Sequence, residues 1–337
     1  MNIQEYSVAL GTSSASKKNP TAISREVKVS QSTVSRFVSE LDLSEVDFIP
    51  MIKQLFGNKK LSLVIDDTTI NRRYSEAVEG VSSMIDQSTK TFTTGYKIVT
   101  CGLTDGEHFI PIALEHWVAE FIMQDKYLSI TKLAEKLIER VTALGISISN
   151  AIFDGLYFAT DFINFLEHMQ LKFLIKAKTT TSVEYKGEQM QLQNCKDLRL
   201  NSNQRAKKIL AKWHGKLYYF IAIRRSGKRG EKIIYLIANF KTKSHIYVKM
   251  YDSRWKIEKF HRTGKQSMGL RDCISTIAKT YLNHIKCVFF AYGLLQLLMK
   301  RLKLNSIEDA IREAQALKQR LGFIQTVDTI SLLENYA

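Results

Sequence analysis

Apolar positions along this chain change their spacing several times, and each change marks an element. The stretch Ser13 to Pro20, rich in Ser, Lys and Asn, predicts a flexible lead-in, with order expected from about Thr21. Ile23 and Val27 then stand one helical turn apart, Val29-Ser30 reads as a turn into a cap, and Val34, Phe37, Val38 and Leu41 repeat at i, i+3, i+4, i+7, so two short helices are expected. From Leu61 the spacing shortens. LSLVIDD is a buried strand closed by two acidic residues, and KIVTCGL and HFIPIAL flank the turn Thr104-Asp105-Gly106-Glu107 as a β-hairpin. A helix over about Lys126 to Leu144, the strand NAIFD closing on Asp154, a helix over Thr160 to His168 and the strand KFLIKA follow.

Three meandering strands followed by α-β-α-β is the order expected of a ribonuclease-H-like mixed sheet, an α/β architecture, although periodicity alone also admits other α/β folds. From about Thr181 to Phe240 the chain turns basic, aromatic and strand-like. GKLYYFIAIRR and KIIYLIANF are joined by Ser226 to Gly230, which predicts a β-rich insertion. Helical sequence resumes near Tyr247, breaks near Gly269 and runs to Leu304. Its stretch Cys287 to Met299 is nearly all apolar, yet it is too short to span a bilayer and carries Gln296, so it predicts a buried core helix and no membrane span. The tail places Ile307, Ala310, Ile311, Ala314, Leu317 and Leu321 on one stripe, opened by Ser306 with Asp309 three residues on and stopped by Gly322. The expected organisation is a helical module over 1–50, a catalytic α/β domain over 51–180 and 245–304, the insertion over 181–244 and a helical tail over 305–337.

Composition narrows the partner. The 337 residues are 45% apolar and 24% charged, enough for a sizeable core, and 49 Lys and Arg against 33 acids give +16 and a pI near 9.5. That balance favours a polyanion, nucleic acid first, although a basic and well-solvated surface has the same composition. Cys101, Cys195, Cys273 and Cys287 have no paired spacing and read as reduced intracellular thiols. The first residues carry no basic segment followed by an apolar run, so no secretory signal is expected and the cytoplasm is the predicted location. The string VSQSTVSRFV resembles the turn and recognition helix of helix-turn-helix proteins, which leaves Gln31, Ser32, Thr33, Ser35 and Arg36 to meet DNA; a small helical hairpin that only packs is the plain alternative.

The densest chemistry lies in YDSRWKIEKFHRTGK, residues 251 to 265. On one helix Tyr251, Arg254, Glu258 and Lys265 fall within an arc of about 60°. A solvated salt-bridged face explains that spacing too, since Arg254 and Glu258 stand four apart. The stretch resembles the Y-x2-R-x3-E-x6-K signature of bacterial cut-and-paste insertion-sequence transposases, insertion-sequence family four, without a gap. VIDDTT resembles that family's first aspartate motif and IFDGLYF its second, so the resemblance covers about residues 58 to 303. It implies a DDE transposase in which Asp67, Asp154 and Glu258 hold two Mg2+ ions, with Mn2+ able to substitute, and Tyr251, Arg254 and Lys265 contact phosphates at the transposon end. It also implies double-stranded DNA as partner, as terminal inverted repeats and as target, a homodimer in a synaptic complex, and excision through a hairpin. A catalytically silent DNA-binding repressor, or a domesticated relative, is the alternative of a different class.

The physical logic stands beside the name. Two strand-end aspartates and a helix glutamate aimed at one point repel and raise one another's pKa, so such a cluster persists at neutral pH chiefly around divalent cations, which oxygen ligands select as Mg2+ or Mn2+. Asp66 and Asp67 alternate faces, so one of them points at the metals; Asp67 is chosen because it directly precedes Thr68-Thr69, with Asp66 as the alternative. Trp255 is expected in the core, though it could stack on DNA. Trp213 or Tyr235 could hold a flipped base, with strand packing the simpler role. His261 and Arg262 are expected to be DNA-facing or solvated, and Lys228 to Lys232 a solvated turn with a phosphate contact as the alternative.

Overall fold

A computed structural model describes residues 1–42, 46–72, 78–86, 91–227 and 230–334. Within the run 228–232, Lys228 and Arg229 lie outside the described residues. The chain opens with four helices, α1 (Ile3–Thr12), α2 (Pro20–Val27), α3 (Gln31–Glu40) and α4 (Ile49–Phe56). Asn19 caps α2 by accepting from the Ala22 amide, with Pro20 in the first turn where no N–H is needed. Lys28 ends that helix in the left-handed region and Ser30 caps α3, so the predicted pair of helices forms.

The sheet begins with β1 (Leu61–Asn71), β2 (Ser82–Asp86), β3 (Thr91–Thr104) and β4 (Phe109–Trp117), and after the short α5 (Glu120–Met123) continues as α6 (Ile130–Thr142), β5 (Ile148–Phe153), α7 (Thr160–His168) and β6 (Phe173–Ala177). β3 pairs antiparallel with β1 and β4, whereas β5 pairs parallel with both β1 and β6. The β3–β4 hairpin is packed too tightly for a side chain at Gly102: a Cβ there would lie 2.3 Å from the Phe109 ring. β1 does not stop at its acids as the sequence suggested, because β3 goes on pairing with it as far as Asn71 opposite Gly95. The parallel ladder with β5 ends at Ile65 opposite Phe153, so Asp66 is the first residue beyond it.

The insertion supplies β7 (Ser182–Tyr185), β8 (Glu188–Gln191), β9 (Ala206–Trp213), β10 (Lys216–Gly227) and β11 (Gly230–Ala238). β11 runs antiparallel along β6, so these strands extend the same mixed sheet, eleven strands in all among the described residues. Helices α8 (Ser244–Ser253) and α9 (Trp255–Ser267) follow, then α10 (Ala278–Arg301), α11 (Ile307–Leu321) and α12 (Phe323–Ser331). The large mixed sheet with covering helices is consistent with a ribonuclease-H-like transposase domain.

α10 is the centre of the core: it is apolar and long enough to cross a bilayer, but 89% of its apolar window is buried within the protein. α4 approaches it so closely that a Cβ at Gly293 would lie 2.6 Å from Met51 Sδ. The predicted flexible lead-in is corrected here. Asn2 and Glu5 form a reciprocal capping box, and α1 buries Tyr6, Val8, Ala9 and Leu10 against α10, with the Tyr6 hydroxyl 2.8 Å from His284 Nδ1. The following segment is tied down as well, since the buried Lys18 ammonium donates to the Leu10 and Ser13 carbonyls. α11 takes its cap from Ser306 and buries Ile307, Ala310, Ile311 and Ala314, as the stripe predicted.

Candidate active site

A second, smaller core sets the geometry of the acidic residues. Ile152, Leu174, Ile221, Ile223 and Leu236 on one face of the sheet bury Tyr247, Val248 and Tyr251 of α8. Helical backbone at Arg254 joins α8 to α9, with three-residue hydrogen bonds on both sides of it, from Arg254 N to Tyr251 O and from Ile257 N to Arg254 O. The single predicted helix over 251–265 is therefore two helices meeting at Arg254. α9 is fixed on its other side by Phe260, packed edge-on against Phe289 and Tyr292 of α10. Arg254 and Glu258 are thereby held over the end of the β1–β5 ladder.

There Asp66 follows Ile65, and Asp154 follows Phe153, at neighbouring places in the parallel register, so the two acids emerge side by side on the face that α8 covers. One guanidinium nitrogen of Arg254 lies 3.3 Å from Asp66 Oδ2 and the other donates to Glu258 Oε1, while its carbon stands 5.5 Å from the Tyr251 ring centroid. Asp67 leaves the opposite face, where Lys97 Nζ lies 3.4 Å away. Lys265 is half-buried, with its pKa lowered by burial and the carboxylates of Asp86 and Asp67 acting to raise it. Tyr251, Arg254, Glu258, Asp154 and Asp66 are thus gathered together, whereas Asp67 and Lys265 belong to the margin of the group.

Sequence reasoning missed two cations here. Lys176 stands level with Asp154, because Ile175 pairs with Phe153, and its ammonium is 3.6 Å from Asp154 Oδ1. A lysine interrupting the apolar strand KFLIKA was a signal that could have found it. Arg225 of β10 stands 5.7 Å from the Tyr251 ring and pairs with Asp252. A cavity of about 360 Å3 opens between these groups, lined by Asp154, Lys176, Arg225, Tyr251, Arg254 and Trp255.

Burial pushes the Asp66 carboxyl up to about 7; Arg254 opposes the shift, and the charges of Asp67, Glu258 and Asp154 add to it. With Asp66 ionised, Asp66, Asp154 and Glu258, and Asp67 at their margin, face three cations, Arg254, Lys97 and Lys176, so this set of hard oxygen donors keeps one negative charge in excess, which fits a divalent cation. Among the described residues, the group whose ligand atoms all lie within 4.8 Å of one another is a different one, Asp105, Glu107 and His108 on the β3–β4 turn. The acids around Asp66 are spread wider, with Arg254 between Asp66 and Glu258.

Two expectations are corrected. Trp255 is 53% exposed at the mouth of the cavity and not in the core. His261 is buried beside Phe260, and burial pushes its pKa down to about 3, so it faces neither DNA nor solvent; Arg262, the next residue, is exposed. Trp213 and Tyr235 are both buried, Trp213 stacked on Phe158 at 5.1 Å, so strand packing accounts for each. On α3, Gln31, Ser32, Ser35 and Arg36 are exposed, and the Thr33 hydroxyl lies 2.8 Å from that of Ser30.

Residues 58–292 match the family model described as the transposase DDE domain, a span that begins just before β1, takes in every strand of the sheet and ends inside α10. Nothing among curated proteins matches the chain. Because the family match extends over well more than half of the 337 residues, the chain belongs to the DDE transposases.

Proposed function

We propose that this transposase cleaves DNA at transposon ends and joins the freed ends to target DNA, with divalent cations held by Asp154, Glu258 and an aspartate of β1. The observation that carries the reading is the convergence of Asp66, Asp154 and Glu258 on Arg254 at the end of the β1–β5 ladder. The family motif favours Asp67 as the β1 ligand. The geometry favours Asp66, which shares its face with Asp154 and Arg254, while Asp67 is engaged by Lys97. We therefore assign the ligand role to Asp66 and a supporting role to Asp67.

Mg2+ or Mn2+ bound there would polarise the scissile phosphate and lower the pKa of the attacking hydroxyl. The chain's own residues supply the rest. Arg254 holds a planar fork of donors beside the cavity and is suited to a phosphate oxygen once a cation has taken over its neutralising role toward Asp66 and Glu258. Lys176 and Arg225 line the same cavity and neutralise backbone charge. Trp255, exposed at the mouth, offers a stacking surface for a base. No protein nucleophile is required. Excision as cut-and-paste through a hairpin, synapsis by two copies, and end recognition by Gln31, Ser32, Thr33, Ser35 and Arg36 complete the proposal. The exposed face of α3 supports the last of these.

The test is incubation of purified protein with DNA carrying the element's own ends and Mg2+, beside Glu258→Gln. The expected result is strand cleavage by the wild type only, with equal DNA binding by both proteins. Binding without cleavage by the wild type would favour the repressor reading, and equal cleavage by both would remove Glu258 from the chemistry.

A further inference from the structure

α9 has a second functional face. Lys256, Lys259 and Arg262 repeat every third residue, centred about 120° around the helix from Arg254, Glu258 and Lys265. They border a cavity of about 430 Å3, closed on its other sides by Lys300 and Lys303 at the end of α10 and by the first turn of α11. None of the residues lining the Asp154 cavity lines this one, so the two are separate sites. Five cations face two carboxylates, Glu107 and Glu308, leaving an excess of three positive charges.

The cations differ in how far they are already engaged. Lys300 donates to the Gln54 and Leu55 carbonyls and Lys256 to the Glu107 carbonyl, while the Glu308 carboxylate accepts from the Thr263 hydroxyl. Lys259, Arg262 and Lys303 are exposed and have no ion-pair partner among the described residues. At the back of the cavity His108 is 7% exposed, its Nδ1 3.9 Å from Asp105 Oδ1, and the amide end of the fifteen-residue α11 adds the positive end of its dipole. Unpaired cations converging from α9 and α10 on the amino end of a third helix make an oxyanion site.

We propose that this cavity binds a backbone phosphate of duplex DNA on a face of α9 about a third of a turn away from the catalytic acid Glu258, anchoring the duplex without reading its sequence. The choice of DNA over an acidic peptide rests on the DNA-acting reading of the family. The cavity takes no part in bond breaking, so its loss weakens binding and spares the chemistry.

The test measures binding of a short duplex of arbitrary sequence against salt concentration, in EDTA, for the wild type and for Lys259→Gln combined with Arg262→Gln and Lys303→Gln. Losing the three cations that hold this one phosphate should lower the slope of log K against log salt by about 1 and weaken low-salt binding at least ~10-fold. Glu107→Gln should tighten binding, and a Lys259→Arg, Lys303→Arg variant should keep it. These side chains are exposed, and thermal unfolding of each variant checks that it folds. Unchanged slope and affinity in the triple variant would overturn the proposal, as would competition by poly-glutamate equal, charge for charge, to that by duplex. Glu258→Gln should bind with the wild-type slope, and the triple variant should cleave at the wild-type rate when saturated with DNA. Failure of the anchoring site is thereby separated from failure of the catalytic reading.

Discussion

Two groups of acids lie along the β1–β3 pair, one around Asp66 and one on the turn at Asp105, about five residues and so roughly 16 Å apart along the strands. By distance alone the turn is the better cage, since its three ligand atoms are the closer set. Its charge, however, is already answered. Asp105 accepts from Lys59 at 2.7 Å and from the amides of Glu107 and His108, and although burial acts to raise its pKa, the His108 imidazole 3.9 Å away, Lys59 and those amides hold it well below the usual carboxylate range. Asp66 is the reverse case: burial pushes it up to about 7, and with Lys97 beside Asp67 and Lys176 beside Asp154, Arg254 alone answers both Asp66 and Glu258. Closeness of donors marks a finished turn, whereas uncompensated charge marks a place built to receive a cation.

The contrast is broken most severely by removing one acid from each group. Glu258→Gln or Asp154→Asn should lower strand cleavage by more than the ~100-fold typical of residues that only orient a metal ligand, while Asp105→Asn should leave cleavage at saturating DNA within about twofold, read in the same Mg2+ assay. Next in size is metal-linked stability. With Mg2+ at a hundred times its dissociation constant the folded state gains about 2.7 kcal/mol, so thermal unfolding should show a Mg2+-dependent rise for the wild type and Asp105→Asn, and a smaller one for Asp154→Asn.

The pH dependence of that effect sharpens the comparison. The folded Asp66 carboxyl, raised to about 7, keeps its proton below that pH, and a cation must displace the proton. Apparent Mg2+ affinity should therefore fall as pH drops below about 7, by up to ~10-fold per unit, and Asp66→Asn should flatten the profile. The smallest effect belongs to Lys59→Ala: its side chain is 59% exposed, so its ion pair with Asp105 should contribute less than ~1 kcal/mol to stability measured in denaturant.

Much of this was legible in the sequence. Two largely apolar runs on either side of a Gly-containing turn defined the β3–β4 hairpin, and α7 runs from Thr160 to His168 as read. What alternation could not give is which face of β1 meets which helix. Asp66 and Asp67 were known to point apart, but the choice between them depends on the Ile65–Phe153 register and on α8 covering the Ile152 face, both products of long-range packing. α1 was passed over for another reason. Its signal was present, Asn2 and Glu5 ahead of Tyr6 to Leu10, but the polar run at 13–20 suggested a tail, and only contact with α10, some 280 residues later, makes that segment a helix in the core. His261 was misplaced because a histidine among cations looks solvated until Phe260 beside it is seen packing on α10.

The most direct measurement is the position of Mn2+ by anomalous scattering from crystals of the protein soaked in that ion. The account predicts density among Asp66, Asp154 and Glu258, with the Arg254 guanidinium turned away from Glu258 toward the cavity. Density only at Asp105, Glu107 and His108, or an undisturbed Arg254 pairing with both acids at saturating Mn2+, would contradict it.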